Sequence, residues 1–292
     1  MSLPACGVVE RLGVSVLAER AGLSDAQVQR DISYHVDGGA DRSLDLFVSN
    51  TPNAPVLIFV HGGGWDNGRK DLRVGSLDVY GNIGRYYASQ GVTTAVINYR
   101  LQPKVRWREQ AADVAESVIW ATKNIARFGG NPQRIFLMGH SAGAHLASMV
   151  TLNQALQRSA GIAPCDIDGV ISVSGAALDL TSESDDLPYY ERRFGPRSDR
   201  AEWTAASPAT HADPADPAAL IIYAGGESTG LQRQSQVFKA ALDRAGSSAQ
   251  LLPIEGESHT RMVLVLSHPD KAAVAAVLQF LRDSECPAKK PS

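Results

Sequence analysis

The sequence predicts an α/β protein: a mostly parallel, doubly wound sheet of about eight strands, flanked by helices, with a small cap inserted late in the chain. Three observations carry that prediction. Continuous apolar runs recur along the chain, as strands buried on both faces require. Helix-like stretches separate them, and strand alternating with helix demands right-handed crossovers in a parallel sheet. With 292 residues, 44% of them hydrophobic, the chain can bury one large core.

The elements follow in order. One amphipathic stretch, Val8 to Ala21, reads as a helix within an extension over residues 1–28. Two β-like runs come next, Gln29–Tyr34 and Leu44–Ser49. The alternation in Ser43-Leu44-Asp45-Leu46-Phe47-Val48 predicts a half-exposed antiparallel strand near a sheet edge. At Val56–Val60 the pattern becomes continuously apolar, and comparable buried strands are predicted at Thr93–Ile97, Ile135–Met138, Gly169–Val173, Ala219–Tyr223 and Gln250–Ile254. Helices are predicted over Gly75–Gln90, Trp107–Phe128, Ala142–Leu156, Leu231–Ala245 and Pro269–Leu281. Residues 179–217 lack periodicity, are rich in Pro, Asp and Ser, and carry Tyr189, Tyr190, Phe194 and Trp203. A stretch that long inside a domain is functional or disordered. It reads as a small cap on a catalytic domain running over residues 29–292.

Charge and cysteine exclude several classes. A net charge of -3, with Lys and Arg scattered among Asp and Glu, offers no basic patch for nucleic acid. No apolar run reaches the ~20 residues of a membrane span. Cys6, Cys165 and Cys286 form no CxxC pair and no metal-ligand cluster. Three thiols fit a reduced cytoplasmic protein, the favoured location. Leu3-Pro4-Ala5-Cys6 nevertheless resembles the lipobox of periplasmic lipoproteins, without the charged and apolar regions of a signal peptide. Were Cys6 acylated, Cys165 and Cys286 would remain as a pair able to form a disulfide in an oxidising compartment.

The chemistry concentrates at three places. Ile135–Met138 reads as a strand and Ala142 onward as a helix, so Ser141 in Gly139-His140-Ser141-Ala142-Gly143 sits on a strand-to-helix turn. Small residues at 139 and 143 permit the sharp turn that presents a nucleophilic hydroxyl above a sheet. His140 and His145 flank it, and both are expected to pack rather than to act as the base. Second, His61-Gly62-Gly63-Gly64-Trp65 follows the strand Val56–Val60 directly. Consecutive glycines let backbone N–H groups approach an oxyanion without interference from Cβ. Neither a Walker motif nor a GxGxxG fingerprint is present there.

These two segments, with Asn98-Tyr99-Arg100-Leu101 and Phe128-Gly129-Gly130-Asn131-Pro132, resemble the carboxylesterase/lipase branch of the α/β-hydrolases. The similarity runs from about Asp31 to Leu281. It implies an oxyanion hole made by the backbone amides of Gly63, Gly64 and Ala142. The branch's hormone-sensitive-lipase-like members carry Asp before the nucleophile; this chain has His140, closer to kynurenine formamidases and small feruloyl- or acetyl-esterase-like proteins.

The third place supplies a base and an acid in the chain order Ser, acid, His. His259 lies beyond the strand Gln250–Ile254, at a carboxyl end; His268, at the start of the last helix, is the rival. Glu227 follows the strand Ala219–Tyr223 and is the favoured acid, with Asp213 and Asp216 as alternates. Arg233-Gln234-Ser235 resembles a segment of arylformamidases, and that likeness also points to Glu227. The expected protein is a Ser-His-Glu carboxylic-ester hydrolase for short-acyl or aryl esters, working through an acyl-enzyme as a monomer or homodimer. Arylformamide hydrolysis is the alternative, followed by a feruloyl- or acetyl-xylan-type esterase and a non-catalytic binding protein of the same fold. No metal or organic cofactor is implied. Trp65, Tyr189, Tyr190, Phe194 and Trp203 are the candidate substrate-lining aromatics.

Overall fold

The computed structural model describes residues 24, 27–37, 39–182 and 187–287. Val8–Ala21 and Cys6 lie outside the described residues. Eight strands form one sheet: β1 (Val28–Ser33), β2 (Ser43–Phe47), β3 (Ala54–Val60), β4 (Thr93–Ile97), β5 (Gly130–His140), β6 (Gly169–Val173), β7 (Ala218–Ala224) and β8 (Ala249–Ile254). Their order is β1-β2-β4-β3-β5-β6-β7-β8, and every pair is parallel except β1 with β2 and β2 with β4. Alternate side chains of β3 show why the strands are apolar throughout. Val56, Ile58 and Val60 enter the core on one face, Leu57 and Phe59 that on the other.

Helices cover both faces. Against the first lie α2 (Trp107–Asn124), α3 (Ala142–Leu152) and α7 (Thr229–Ala245), while α1 (Val79–Ser89) and α9 (Ala272–Asp283) cover the second. Local caps set several starts. Asp78 accepts from Gly81 N at 3.1 Å, which begins α1 later than the periodicity suggests. The helix expected over Ala142–Leu156 breaks at Asn153, which is extended and caps α4 (Gln154–Ala160) by accepting from Leu156 N at 3.0 Å. The cap contains α5 (Leu187–Phe194), α6 (Arg200–Ala205) and a 3-10 turn at Pro208–His211. A single turn, α8 (Met262–Val265), precedes α9.

One expectation is corrected. β2 is antiparallel and next to the sheet edge, as expected, but it is not half exposed: β1 pairs outside it and all five of its residues are buried. Its polar member, Asp45, faces cations instead of water. Asp45 pairs with Arg30 and with Lys70, both at 2.6 Å, and Lys70 also meets Asp31 at 2.6 Å. Arg30 continues to Asp78, which Arg85 holds at 3.1 Å. A buried ion must be paired and hydrogen-bonded; here the pairing tethers the segment after the glycine run to the sheet edge.

Cys165 and Cys286 are disulfide-bonded, joining the loop before β6 to the segment after α9 with Cα atoms 5.5 Å apart. This is the pairing the cysteine pattern offered for an oxidising compartment. Beside it lies a cavity of about 330 Å³ at the amino-terminal ends of β6 and β7, lined in part by Arg158 and Asp216. Asp213 and Asp216, the alternate acids, sit in the turn before β7, with Asp216 Oδ2 accepting from Asp213 N at 2.7 Å. They are at the end of the sheet opposite Ser141. Burial pushes the Asp216 carboxyl up to about 7. The unfolded group ionises near 4, so stability falls as pH rises from about 4 to 7, and the whole cost of the buried carboxyl is present above pH 7. Asp216→Asn is therefore expected to be more stable than wild type in urea titrations at pH 8. The difference should shrink to nothing by about pH 4; equal midpoints at pH 8 would show that the carboxylate is not penalised.

Candidate active site

The turn from β5 into α3 is built by what cannot fit there. A Cβ at Gly139 would strike the backbone of Gly143, and one at Gly143 would strike the carbonyls of Val60 and His61. The two glycines let the strand end and the helix start cross at backbone contact. Ser141 between them takes φ 56°, ψ −120°, a conformation that non-glycine residues adopt at a cost of order 1–3 kcal/mol. Ser141 N donates to Val173 O at 2.9 Å, so β6 holds the turn in place.

Two loops bring partners to the hydroxyl. β8 ends at Ile254, and His259 comes back over the sheet with Nε2 3.0 Å from Ser141 Oγ. Its Nδ1 lies 2.9 Å from Glu227 Oε2, in the loop after β7. Nδ1–H donates to the carboxylate, leaving Nε2 to accept from the serine hydroxyl. The Glu227 side chain is wholly buried, whereas that of His259 is 28% exposed and Ser141 is partly exposed. His268 is elsewhere, accepting from Asp270 N at 3.3 Å before the last helix.

The glycine run is held by its carbonyls. His61 Nδ1–H donates to Gly62 O at 2.7 Å, Asn67 N donates to Gly63 O at 2.9 Å, and Arg193 Nε donates to Gly64 O at 2.7 Å. Gly63 and Gly64 both lie at positive φ, 125° and 63°, where a side chain would be strained. Gly62 abuts the turn at Ser141. Ala142, wholly buried, is the first residue of α3. The arrangement can deprotonate a hydroxyl and present amides beside it.

A family model designated BD-FAE matches residues 44–242, more than two thirds of the chain. The chain belongs to the BD-FAE family. Among curated relatives, a probable isoprenylcysteine alpha-carbonyl methylesterase from Arabidopsis thaliana is 38% identical over 139 residues, 47% of this chain and 31% of that protein. Esterase LipQ of Mycobacterium tuberculosis is 28% identical over 267 residues, 86% of this chain and 61% of that protein. The chain thus spans under two thirds of the length of these relatives. An inhibited esterase B from Lactobacillus rhamnosis superposes with TM-score 0.73 at 22% identity, over 94% of this chain and 92% of that one. The fold is the α/β-hydrolase fold.

In this BD-FAE chain the other histidines of the two motifs are structural. His140 is buried, its ring 4.8 Å from that of His259, and its Nε2–H donates to the His259 carbonyl at 2.9 Å. The neighbour of Ser141 therefore anchors the loop that carries the candidate base. His145 Nε2–H donates to Ala206 O at 2.8 Å and its Nδ1 accepts from Trp65 Nε1 at 3.2 Å, stitching the cap to the sheet. His61 stacks on Tyr99 at 4.4 Å.

The aromatics proposed for substrate contact divide. Trp65, Tyr190, Phe194 and Trp203 are buried, and the first three pack against one another between cap and core. Only Tyr189 keeps accessible surface. Their buried apolar area packs the cap onto the body. Arg193 was invisible in the sequence: its partner Gly64 is 129 residues away, and no motif links them. Among the described residues no group of three or more His, Cys, Asp and Glu side chains could hold a metal ion, and no helix is long and apolar enough to cross a membrane.

Burial sets the protonation of these histidines. It lowers His61 and His145 to about 4, and His140 to about 3 with a further push from the neighbouring His259. The unfolded chain takes up these protons near pH 6.5 while the folded protein refuses them. Stability is thus full above pH 6.5 and falls on acidification toward pH 4, by up to about 1.4 kcal/mol per pH unit for each histidine. Asp216 acts in the opposite sense over that whole range, one group against three. Urea midpoints at pH 7, 6 and 5 are expected to drop steeply; a flat series would mean the rings accept protons in the folded state.

Proposed function

We propose that this chain is a serine carboxylic-ester hydrolase acting on short-acyl or aryl esters through an acyl-enzyme. The observation that carries the reading is the continuous relay Glu227–His259–Ser141, with a 2.9 Å contact between residues 32 apart and a 3.0 Å contact between residues 118 apart in the chain. Ser141 attacks the acyl carbon as His259 Nε2 takes its proton, and Glu227 stabilises the imidazolium. The N–H groups of Gly63, Gly64 and Ala142 receive the developing oxyanion, at the positive end of α3. His259 then returns the proton to the leaving alkoxide. Water attacks the acyl-enzyme by the same route in reverse, releasing the carboxylic acid and restoring Ser141.

Support for an ester over an amide comes from the relatives, whose names describe esterases and methylesterases. Partial exposure of Ser141 and His259 beneath a cap of two short helices favours small acyl groups and planar aryl esters over long chains. Initial rates on p-nitrophenyl acetate, butyrate and octanoate, methyl ferulate and N-formylkynurenine test the reading. Short or aryl esters are expected to dominate, Ser141→Ala to abolish turnover, and Glu227→Gln to lower kcat by about three to four orders of magnitude. Dominant N-formylkynurenine turnover would replace the ester reading by the formamidase one, and an active Ser141→Ala would overturn the mechanism.

A further inference from the structure

The cap donates a hydrogen bond to the glycine run through Arg193. Arg193, in the last turn of α5, is 11% exposed. Its Nε donates to Gly64 O at 2.7 Å and its Nη2 meets Asp66 Oδ2 at 2.7 Å. Its guanidinium lies 3.7 Å from the ring centroid of Tyr189, one helical turn earlier on the same face. The Tyr189 hydroxyl abuts Gly64 so closely that a Cβ there would collide with it. The ring of contacts closes through Gln102, whose N donates to Trp65 O at 2.9 Å while its Nε2 reaches Arg193 O at 3.4 Å.

The consequence follows from peptide planarity. The C=O and N–H of one trans peptide point in opposite directions, so holding a carbonyl aims the amide behind it. The carbonyls of Gly62 and Gly63 are held by His61 and Asn67, from inside the loop, and they aim the N–H groups of Gly63 and Gly64. The carbonyl of Gly64 is held from the cap. Gly64 and Trp65 both lie at positive φ, 63° and 67°, and this contact fixes the peptide between them. Once it is released, the Gly64–Trp65 peptide can rotate, and the Gly64 amide keeps only the restraint from the Asn67 contact on the Gly63 carbonyl, losing the one from its C-terminal side.

We infer that Arg193 is a positioning residue that ties the geometry of the oxyanion loop to the seating of the cap, so the cap contributes to turnover as well as to access. The inference rests on the proposed reading of Gly63 and Gly64 as oxyanion donors. Displacement of α5 by a bulky substrate would loosen the hole, so esters that lift the cap are turned over slowly even when bound.

The test compares wild type with R193Q, R193K and D66N. It measures kcat and KM on p-nitrophenyl acetate, inhibition by a trifluoromethyl ketone that adds to serine as an oxyanion, and urea unfolding. R193Q is expected to lower kcat about tenfold or more with KM within about twofold, and to weaken the ketone by the same factor. R193K, which keeps the charge but loses the planar fork, should show a smaller parallel fall. D66N, which leaves the Gly64 contact in place, should stay within about threefold of wild type. A kcat for R193Q within twofold of wild type overturns the inference. So does a loss confined to KM with ketone affinity unchanged, since the cap would then govern access alone. Should R193Q unfold, R193K decides: equal kcat and ketone affinity to wild type overturn the inference. Wild-type protein that neither hydrolyses the ester nor binds the ketone overturns the hydrolase reading, and this inference with it.

Discussion

The crossing of β5 into α3 against the end of β3 is the constraint from which the site is built. Gly139 touches Gly143, and Gly143 touches the carbonyls of Val60 and His61, so three backbone segments meet where any side chain would separate them. That approach has two effects at once. It forces Ser141 into a strained turn at φ 56°, and it sets the first amide of α3 beside the start of the glycine run. Strain of this kind persists only where the surroundings over-determine it. Here they do, through the Ser141 N to Val173 O bond and the parallel pairing of β5 with both β3 and β6.

Around this crossing the loops are held by buried groups outside the Ser141–His259–Glu227 relay. Lys70 is gripped by Asp45 and Asp31, and its N donates to Asn98 Oδ1 at 2.7 Å, so the segment after the glycine run is pinned to β2 and to the end of β4. Tyr99 Oη donates to His61 O at 3.0 Å, and Gln110 Nε2 to Trp65 O at 2.7 Å. These bonds fix the carbonyls at the two ends of the glycine run. A preorganised hole needs this arrangement, because donors that must reorient at the transition state lose most of their advantage.

Much of this was legible in the sequence, for identifiable reasons. The strands were readable because burial on both faces makes them continuously apolar, and the three glycines after Val60 and the pair around Ser141 are short-range patterns. His259 and Glu227 followed from chain order and their positions after β8 and β7. Three things were not legible. Asp45 looked solvent-facing because alternation reports polarity, and only the fold brings Lys70 and Arg30 to it. Trp65 and the cap aromatics were candidate lining residues, yet Trp65, Phe194 and Trp203 are core, a distinction set by packing partners distant in sequence. Arg193 carries no local signature, since a guanidinium on a helix is ordinarily a solvated surface group.

The histidines around the relay show how burial separates like groups. Four imidazoles lie in or beside the two motifs and the base loop, and His140 and His259 have ring centroids 4.8 Å apart. Two neighbouring imidazolium ions would repel strongly, so a mechanism that protonates one needs the other neutral. Desolvation and the proximity of His259 hold His140 down at about 3, and its bond to the His259 carbonyl uses the proton already present on Nε2. In the proposed reaction the proton leaving Ser141 then has one destination, the imidazole whose Nδ1 faces the buried Glu227. A carboxylate in place of His140 would compete with Glu227 for that charge. The neutral ring anchors the base loop without competing for it.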